Sequence, residues 1–247
     1  DITVAMLLDH TAGWGRPADK FLWGEAHVEI ATTLGVPTPP PAWRIAQYML
    51  GEKLSYEPGS NDQYCNMCYL MLGLVAESAE QADIRALLEA YVFRPLEVSG
   101  HVEGGYGRVE DRNPREPFYM CEWADAPSVY EPGKTGCAAD VTFALENLIA
   151  VGGIISTTSA AVAVYEVHES VFSLDVGPVH TNGHSGSLPG TATFVGTVVA
   201  PGVGEVQYAA FFNGHDALEI DWLGVYMLEF AILAAASAWG ATETVLR

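Results

Sequence analysis

Two short stretches of the sequence carry side chains at a spacing that suits nucleophilic or acid–base chemistry. The first is GHSGSLPG, residues 183 to 190, which lacks only the last glycine of Gly-x-Ser-x-Gly, the turn that presents a serine nucleophile in one large class of hydrolases. That turn needs a helix directly after it, whereas the β-branched run TATFVGTVVA follows here. The stretch therefore predicts a strand, and Ser185 is not expected to be a nucleophile.

The second stretch is Tyr64-Cys65-Asn66, which follows the turn-forming YEPGSNDQ and begins an apolar run with helical spacing. A tyrosine phenol can act as a general base, but its ordinary pKa of about 10 requires a nearby cation at neutral pH. Asn66 offers an acceptor and donors, which suit a substrate amide or a lysine ammonium. Cys65 is predicted to pack in the core. The alternative for Tyr64 is a tyrosine at a helix start whose ring covers the core.

Six stretches in this order resemble a known family: ITVAMLLDHTAGW, LSYEPGSNDQYCNMCYLMLGLVAE, VFRPLEV, IAVGGIISTTSAAVAVY, GHSGSLPGTATFVG and EVQYAAFFN. They are similar to motifs of the serine hydrolases related to class C β-lactamases and penicillin-binding proteins, which include esterases and D-aminopeptidases. The resemblance implies an α/β fold of the β-lactamase/transpeptidase type. In that fold an antiparallel sheet flanked by helices joins a mostly helical domain, and the active site lies between them.

The family's chemistry uses three elements, which are Ser-x-x-Lys, Tyr-x-Asn or Ser-x-Asn, and Lys/His-Thr/Ser-Gly. By resemblance, Tyr64 is catalytic and Asn66 binds substrate, while the third element is His184, Ser185 and Gly186, which also bind substrate. The backbone N–H of Ser187 is implied as one of two donors to the oxyanion.

His184 stands where many relatives have lysine. An imidazole is mostly neutral at pH 7, so it should anchor a substrate carboxylate more weakly than lysine does, which favours esters, amides or D-amino-acid peptides over β-lactams. Gly186 lets substrate lie against the strand edge, because a side chain there would block it. The alternative for His184 is a histidine in a polar loop before a strand.

The first family element does not occur in the sequence. The residues three positions before Lys20, Lys53 and Lys134 are Pro17, Leu50 and Glu131, none of which is serine. The β-rich runs at 191 to 213 carry apolar residues on both faces, which suits strands in a covered sheet. We therefore expect another polypeptide segment, from the same or a companion chain, to complete the sheet and supply the serine and lysine.

The elements that position these residues follow from periodicity. Residues 1–150 are predicted to be mostly helical and 151–247 to form a sheet-and-helix part of the same structural unit. Helices are expected over ITVAMLL, WRIAQYML, YCNMCYLMLGLVAESA, IRALLEAYVF, FALENLIAVGG, TSAAVAVYEV and residues 217 to 240, and strands over ATFVGTVVA and EVQYAAFFN. Residues 100 to 140 are expected to be irregular.

Composition limits the partners. A net charge of −20 disfavours nucleic acid and anionic membrane surfaces. The apolar run Leu223 to Ala241 contains Glu229 and is predicted to be a buried helix rather than a membrane span. Scattered histidines and a lone C-x-x-C predict no metal or other cofactor. The sequence leaves open whether Cys121 and Cys137 form a disulfide.

Three functions are compatible with this pattern. The first is a serine hydrolase that forms an acyl-enzyme on an ester, amide, D-peptide or lactam, with its serine and lysine supplied from outside this sequence. The second is a non-catalytic binding or scaffold protein that keeps the pocket. The third, with little support from spacing, is a nucleophile within the chain, namely Ser60, Cys65 or Ser185.

Overall fold

The structure is a computed structural model that describes residues 1–168, 180–200 and 204–214. The chain divides into two compact units. The first comprises Asp1–Glu116 and Trp123–Ile155, and the second comprises Pro117–Glu122 and the chain from Ser156 onward.

The first unit is built mainly from helices. Their bounds are α1 Val4–Leu8, a 3-10 helix Arg16–Leu22, α2 Glu25–Leu34, α3 Ala42–Met49, α4 Asn66–Glu80, α5 Ile84–Leu88, a π-helical turn Glu89–Phe93, and α6 Ala138–Val141. The predicted helices over ITVAMLL, WRIAQYML, YCNMCYLMLGLVAESA and IRALLEAYVF are confirmed. The segment from residue 16 to residue 34 had no prediction, and it forms the 3-10 helix and α2.

The core of the first unit forms around the apolar face of α4. Met67 and Leu70 of α4 are buried together with Ile30 of α2 and Ile45 of α3. On another side of α4, Gly73 packs so closely that a Cβ there would lie 2.5 Å from the Cβ of Ala150. The long helix therefore acts as the centre on which the shorter helices are assembled.

Residues 94 to 157 contain only short elements. Strand β1 Val102–Gly104 pairs with β4 Ile154–Ser156, and β2 Ala126–Pro127 pairs with β3 Thr135–Gly136. The Arg112 guanidinium fastens this region because it contacts the Asp140 carboxylate at 2.8 Å and donates to the carbonyls of Gly107 and Ala139. The prediction of irregular structure over residues 100 to 140 is confirmed apart from these short elements.

The helix predicted over FALENLIAVGG is wrong. The segment forms two 3-10 turns, Leu145–Asn147 and Ile149–Val151, and then Gly152 takes a positive φ of 106°. The chain folds back so tightly that a Cβ on Gly153 would lie 2.6 Å from the Leu145 carbonyl oxygen. The Gly-Gly pair therefore ends the helical geometry and directs the chain into β4.

The second unit contains helix α7 Thr158–His168 and a sheet of β5 His180–Leu188, β6 Thr191–Ala200 and β7 Gly204–Phe212. The strands are antiparallel in the order β5-β6-β7, and α7 packs on β6 and β7. The helix over TSAAVAVYEV and the strands over ATFVGTVVA and EVQYAAFFN are confirmed. The helix predicted at 217 to 240 lies outside the described residues.

Strand β6 lies in the middle of this sheet and is covered. Phe194 and Val198 are buried, and Thr197 Oγ1 lies 3.4 Å from the hydroxyl of the buried Tyr165 on α7. The apolar run therefore forms a central strand, as its composition suggests. Among the described helices, none combines the length and hydropathy needed to cross a membrane.

Candidate active site

The start of α4 brings Tyr64 and Asn66 into direct contact. Cys65 is the N-cap residue with an extended backbone, Tyr64 precedes it, and Asn66 is the first helical residue. The Tyr64 hydroxyl donates a hydrogen bond to Asn66 Oδ1 at 2.9 Å. The sequence motif therefore folds into a hydrogen-bonded pair of the two side chains that it singled out.

Cys65 packs in the core, which confirms its predicted role. It is fully buried, and its Sγ accepts a hydrogen bond from the backbone N–H of Cys68 at 3.2 Å, which caps the helix. Cys65 and Cys68 are free thiols, whereas Cys121 and Cys137 are disulfide-bonded. The C-x-x-C spacing thus serves the helix start.

Asp19 connects the 3-10 helix Arg16–Leu22 to the start of α4. The residue is only 4% exposed. Asp19 Oδ2 accepts from Asn66 Nδ2 at 2.9 Å, and Oδ1 accepts from the backbone N–H of Met67 at 3.1 Å. A carboxylate at a helix N-terminus satisfies donors that have no partner within the helix and lies favourably in the helix dipole. Asp19 therefore holds both the helix start and the Asn66 side chain.

His10 supports the same helix start from the other side. Its Nδ1 accepts a hydrogen bond from the backbone N–H of Cys65 at 3.2 Å. Its ring packs at a tilt against the rings of Tyr64, 4.8 Å between centroids, and Tyr69, 5.1 Å between centroids. Burial lowers the pKa of His10, which favours the neutral ring that this acceptor role requires.

The surroundings keep Tyr64 protonated. Burial raises the pKa of the Tyr64 phenol, and the negative charge of Asp19 raises it further. The Arg16 guanidinium carbon lies 5.0 Å from the centroid of the Tyr64 ring and lowers the pKa, but by less. With these neighbours Tyr64 is a proton donor at neutral pH, which agrees with its hydrogen bond to Asn66 Oδ1.

The other predicted site residues occupy consecutive positions of strand β5. His184 faces Val195 across the ladder to β6, Gly186 faces Thr193, and Ser187 faces Ala192. Ser185 lies within the same strand, so it does not stand on the sharp strand-to-helix turn of a serine nucleophile. The strand predicted for GHSGSLPG is confirmed.

Alternation along β5 separates its polar groups. His184 and Gly186 point to one face of the sheet, and Ser185 and Ser187 point to the other. His184 is half-buried, whereas residues 185 to 187 are exposed. The Gly186 carbonyl accepts a hydrogen bond from Thr193 Oγ1 at 3.3 Å, and a Cβ on Gly186 would lie 3.1 Å from that hydroxyl oxygen.

Three residues next to Tyr64 were not recognised from the sequence as site residues: His10, Arg16 and Asp19. His10 lies in the HTAGW segment, which resembles a family motif, but the sequence gave no indication that this side chain contacts Tyr64 or Cys65. Arg16 and Asp19 lie just after that segment in a stretch without clear periodicity. Within residues 1–168, 180–200 and 204–214, no group of three His, Cys, Asp or Glu could hold a metal ion.

The helices, the antiparallel sheet and the Tyr-x-Asn pair at a helix start define a chain of the β-lactamase/transpeptidase-like class. Residues 1–184 match the family model described as Beta-lactamase. The chain belongs to the beta-lactamase family.

Solved structures share this fold at low sequence identity. D-amino acid amidase from Ochrobactrum anthropi SV3 is 16% identical with a TM-score of 0.62, and the match covers 95% of this chain and 73% of the amidase. D-stereospecific amidohydrolase from Streptomyces sp. is 18% identical with a TM-score of 0.54, over 86% and 68% of the two chains. Penicillin binding protein from Bacillus halodurans is 14% identical with a TM-score of 0.55, over the same shares. The chain spans 64% of the amidase in its complex with L-phenylalanine amide.

Proposed function

We propose that this chain carries part of the active site of a serine hydrolase that acts through an acyl-enzyme on an amide, ester, D-peptide or lactam bond. The observation that supports this most is the 2.9 Å hydrogen bond between Tyr64 and Asn66, held at the start of α4 by Asp19 and His10. The family of the chain, and the amidases among the proteins that share its fold, support the same reaction class.

In the proposed reaction, a serine hydroxyl oxygen attacks the substrate carbonyl carbon while a lysine and Tyr64 handle its proton. The backbone N–H of Ser187 is one of two donors to the oxyanion that forms. Tyr64 then gives a proton to the leaving amine or alcohol, and water hydrolyses the resulting acyl ester. Because Ser-x-x-Lys does not occur in the sequence, the proposal assigns the serine and lysine to polypeptide outside it.

Tyr64 suits the donor step better than the base step in its present surroundings. Burial and the charge of Asp19 raise the pKa of its phenol. A lysine ammonium next to the phenol would lower that pKa and let Tyr64 accept the serine proton. The basic role of Tyr64 therefore depends on the lysine of Ser-x-x-Lys, because Arg16 lowers the pKa of the phenol by less than Asp19 raises it.

Strand β5 is the proposed binding wall for substrate. Its exposed residues from Ser185 to Ser187 offer backbone and hydroxyl groups, and the absence of a side chain at Gly186 allows close approach. His184 takes the position of a lysine in many relatives, and we propose that it contacts the polar end of the substrate. Amides of D-amino acids are the first substrates to test, given the proteins that share the fold.

The test uses the natural gene product that contains this sequence. A fluorophosphonate probe, followed by peptide mass spectrometry, identifies a reactive serine. Turnover is then measured on D- and L-phenylalanine amide, a short-chain nitrophenyl ester and nitrocefin. Tyr64→Phe should lower kcat by about 10²- to 10⁴-fold, the usual contribution of general acid–base catalysis.

Tyr69→Phe is the matched control for Tyr64→Phe. It removes a phenol that stacks on the same His10 ring, 5.1 Å between centroids, and leaves Asn66 untouched. Activity that survives Tyr64→Phe as well as it survives Tyr69→Phe would contradict the assigned role. Absence of both labelling and turnover would favour the second function, a non-catalytic binding protein, and labelling of Ser60, Cys65 or Ser185 would favour the third.

A further inference from the structure

Asn66 is held by two partners that constrain the orientation of its side-chain amide. On one side lies the Asp19 carboxylate, 2.9 Å from Nδ2, and on the other lies the Tyr64 hydroxyl, 2.9 Å from Oδ1. A hydroxyl can donate or accept, so Tyr64 tolerates either end of the amide. An ionised carboxylate only accepts, so it requires the nitrogen end.

Asp19 cannot turn away to relieve this constraint. Its second oxygen accepts the backbone N–H of Met67 at 3.1 Å, and the carboxylate is almost completely buried. A flipped amide would place the Asn66 oxygen against Asp19 Oδ2 in a buried site and remove the donor that Oδ2 has from Asn66, which is unfavourable. The carbonyl end of Asn66 must therefore face Tyr64.

We propose that Asp19 is a positioning residue that fixes the Asn66 amide with its carbonyl oxygen towards Tyr64, so that Asn66 receives an N–H or ammonium donor on that side. The assignment of this oxygen to substrate or lysine binding depends on the proposed function, whereas the orientation itself does not. On the side that faces Tyr64, Asn66 therefore presents its carbonyl oxygen, which is an acceptor for a lysine ammonium or a substrate amide N–H.

The charge of Asp19 has a second effect on the same pair. It raises the pKa of the Tyr64 phenol, while Arg16 lowers it, and Tyr69 and Cys65 raise it slightly. The neutral ring of His10 stacks on Tyr64. Removing the negative charge of Asp19 alone should therefore make Tyr64 ionise at lower pH.

The main test exchanges the two side chains. Asn66→Asp places a second carboxylate against Asp19 and removes the Nδ2 donor, so it should strongly destabilise the start of α4. The exchange variant Asp19→Asn/Asn66→Asp restores the pattern, because the amide at position 19 can donate to the carboxylate at position 66 while its oxygen still accepts from Met67 N–H. The exchange variant should be more stable than Asn66→Asp alone, by about tenfold or more in the unfolding equilibrium constant.

Urea unfolding of the parent, the two single variants and the exchange variant measures this coupling. The control is a second cycle in which Asp62→Asn takes the place of Asp19→Asn and is combined with Asn66→Asp. Asp62 is an exposed carboxylate whose charge acts on His10. Additive effects of the Asp19 and Asn66 substitutions would overturn the proposal, because an Asp19 that only accepts from the Met67 N–H would not make the exchange variant more stable than Asn66→Asp. Equal coupling in the Asp62 cycle would overturn it as well.

A second measurement follows Tyr64 directly. Tyrosine ring carbons labelled at Cζ are titrated by NMR, and Tyr64→Phe assigns the Tyr64 signal. Asp19→Asn should shift the Tyr64 midpoint to lower pH, and Asp62→Asn should leave it near the parent value. An unchanged or higher midpoint in Asp19→Asn would contradict the inference. Because neither measurement needs turnover, the inference can hold even if the hydrolase proposal fails.

Discussion

The buried histidine of α2 gives the first unit a stability that depends on pH. His27 is completely buried, and within residues 1–168, 180–200 and 204–214 neither of its ring nitrogens has a partner in good hydrogen-bonding geometry. Burial lowers its pKa from 6.5 to about 4, although the nearby Leu22 backbone slightly favours the protonated ring. The folded chain therefore holds a neutral imidazole that resists protonation.

The size of the effect follows from linkage. Above pH 6.5, His27 is neutral in both states, and its contribution is fully present. As pH falls from 6.5 to about 4, His27 becomes protonated in the unfolded chain but stays neutral in the folded chain. The free energy of unfolding therefore decreases by up to about 1.4 kcal/mol per pH unit. The loss amounts to about 2 kcal/mol at pH 5 and about 3 kcal/mol once pH is well below 4.

His27→Leu removes this titration and keeps a helix-forming apolar side chain of similar size. The free energy of unfolding of parent and variant is measured in urea at pH 7, 6 and 5. Between pH 7 and pH 5 the parent should lose about 2 kcal/mol more of this free energy than the variant does. The difference isolates His27, because carboxylates such as Asp19 titrate in both proteins. Substitution of the exposed His101 by Gln should leave the dependence of the unfolding free energy on pH as it is in the parent. If His27→Leu also kept the pH dependence of the parent, the reasoning would be refuted.

Two further predictions concern α4. Gly73→Ala should destabilise the chain by about 1 to 2 kcal/mol in thermal or urea unfolding, because the new methyl group would lie 2.5 Å from Ala150 Cβ, and this overpacking outweighs the gain in helix propensity of about 1 kcal/mol. Ser78→Ala on the exposed face of the same helix should be neutral or stabilising, and a stabilised Gly73→Ala would contradict the packing argument. Cys65→Ala should lose about 1 kcal/mol with its cap to Cys68 N–H, whereas Cys65→Ser should stay close to the parent. Equal losses in these two variants would show that the thiol acts through packing alone.

The parts of the fold that the sequence predicted well depend on local pattern. α4 follows from a turn-rich segment and a long apolar repeat, and β6 and β7 follow from two β-branched runs. FALENLIAVGG was mistaken for a helix because its apolar residues have helical spacing. The double glycine at 152 and 153 and the close packing on Leu145 favoured two tight turns over a continuous helix. Periodicity reports the preference of a segment, and tertiary packing can override it.

The site residues likewise divide into those that a local pattern indicates and those that only tertiary packing brings together. Tyr64 and Asn66 are two positions apart and could be recognised as a motif. Asp19 contacts Asn66 across 47 positions of sequence and the Met67 N–H across 48 positions, and His10 contacts Cys65 across 55 positions. No local pattern encodes such contacts, so the sequence alone does not identify the residues that orient the motif.

The start of α4 explains why fold and site are tied together in this chain. A helix start leaves backbone N–H groups that need partners from elsewhere. Here Cys65 Sγ, His10 Nδ1 and Asp19 Oδ1 accept from Cys68, Cys65 and Met67, three backbone donors within one turn. Because Asp19 also holds Asn66 and His10 also stacks on Tyr64, the groups that cap the helix are the groups that orient the candidate catalytic pair. A change at the helix start should therefore affect stability and the Tyr64–Asn66 geometry together, unless it restores the hydrogen-bond pattern as the 19/66 exchange does.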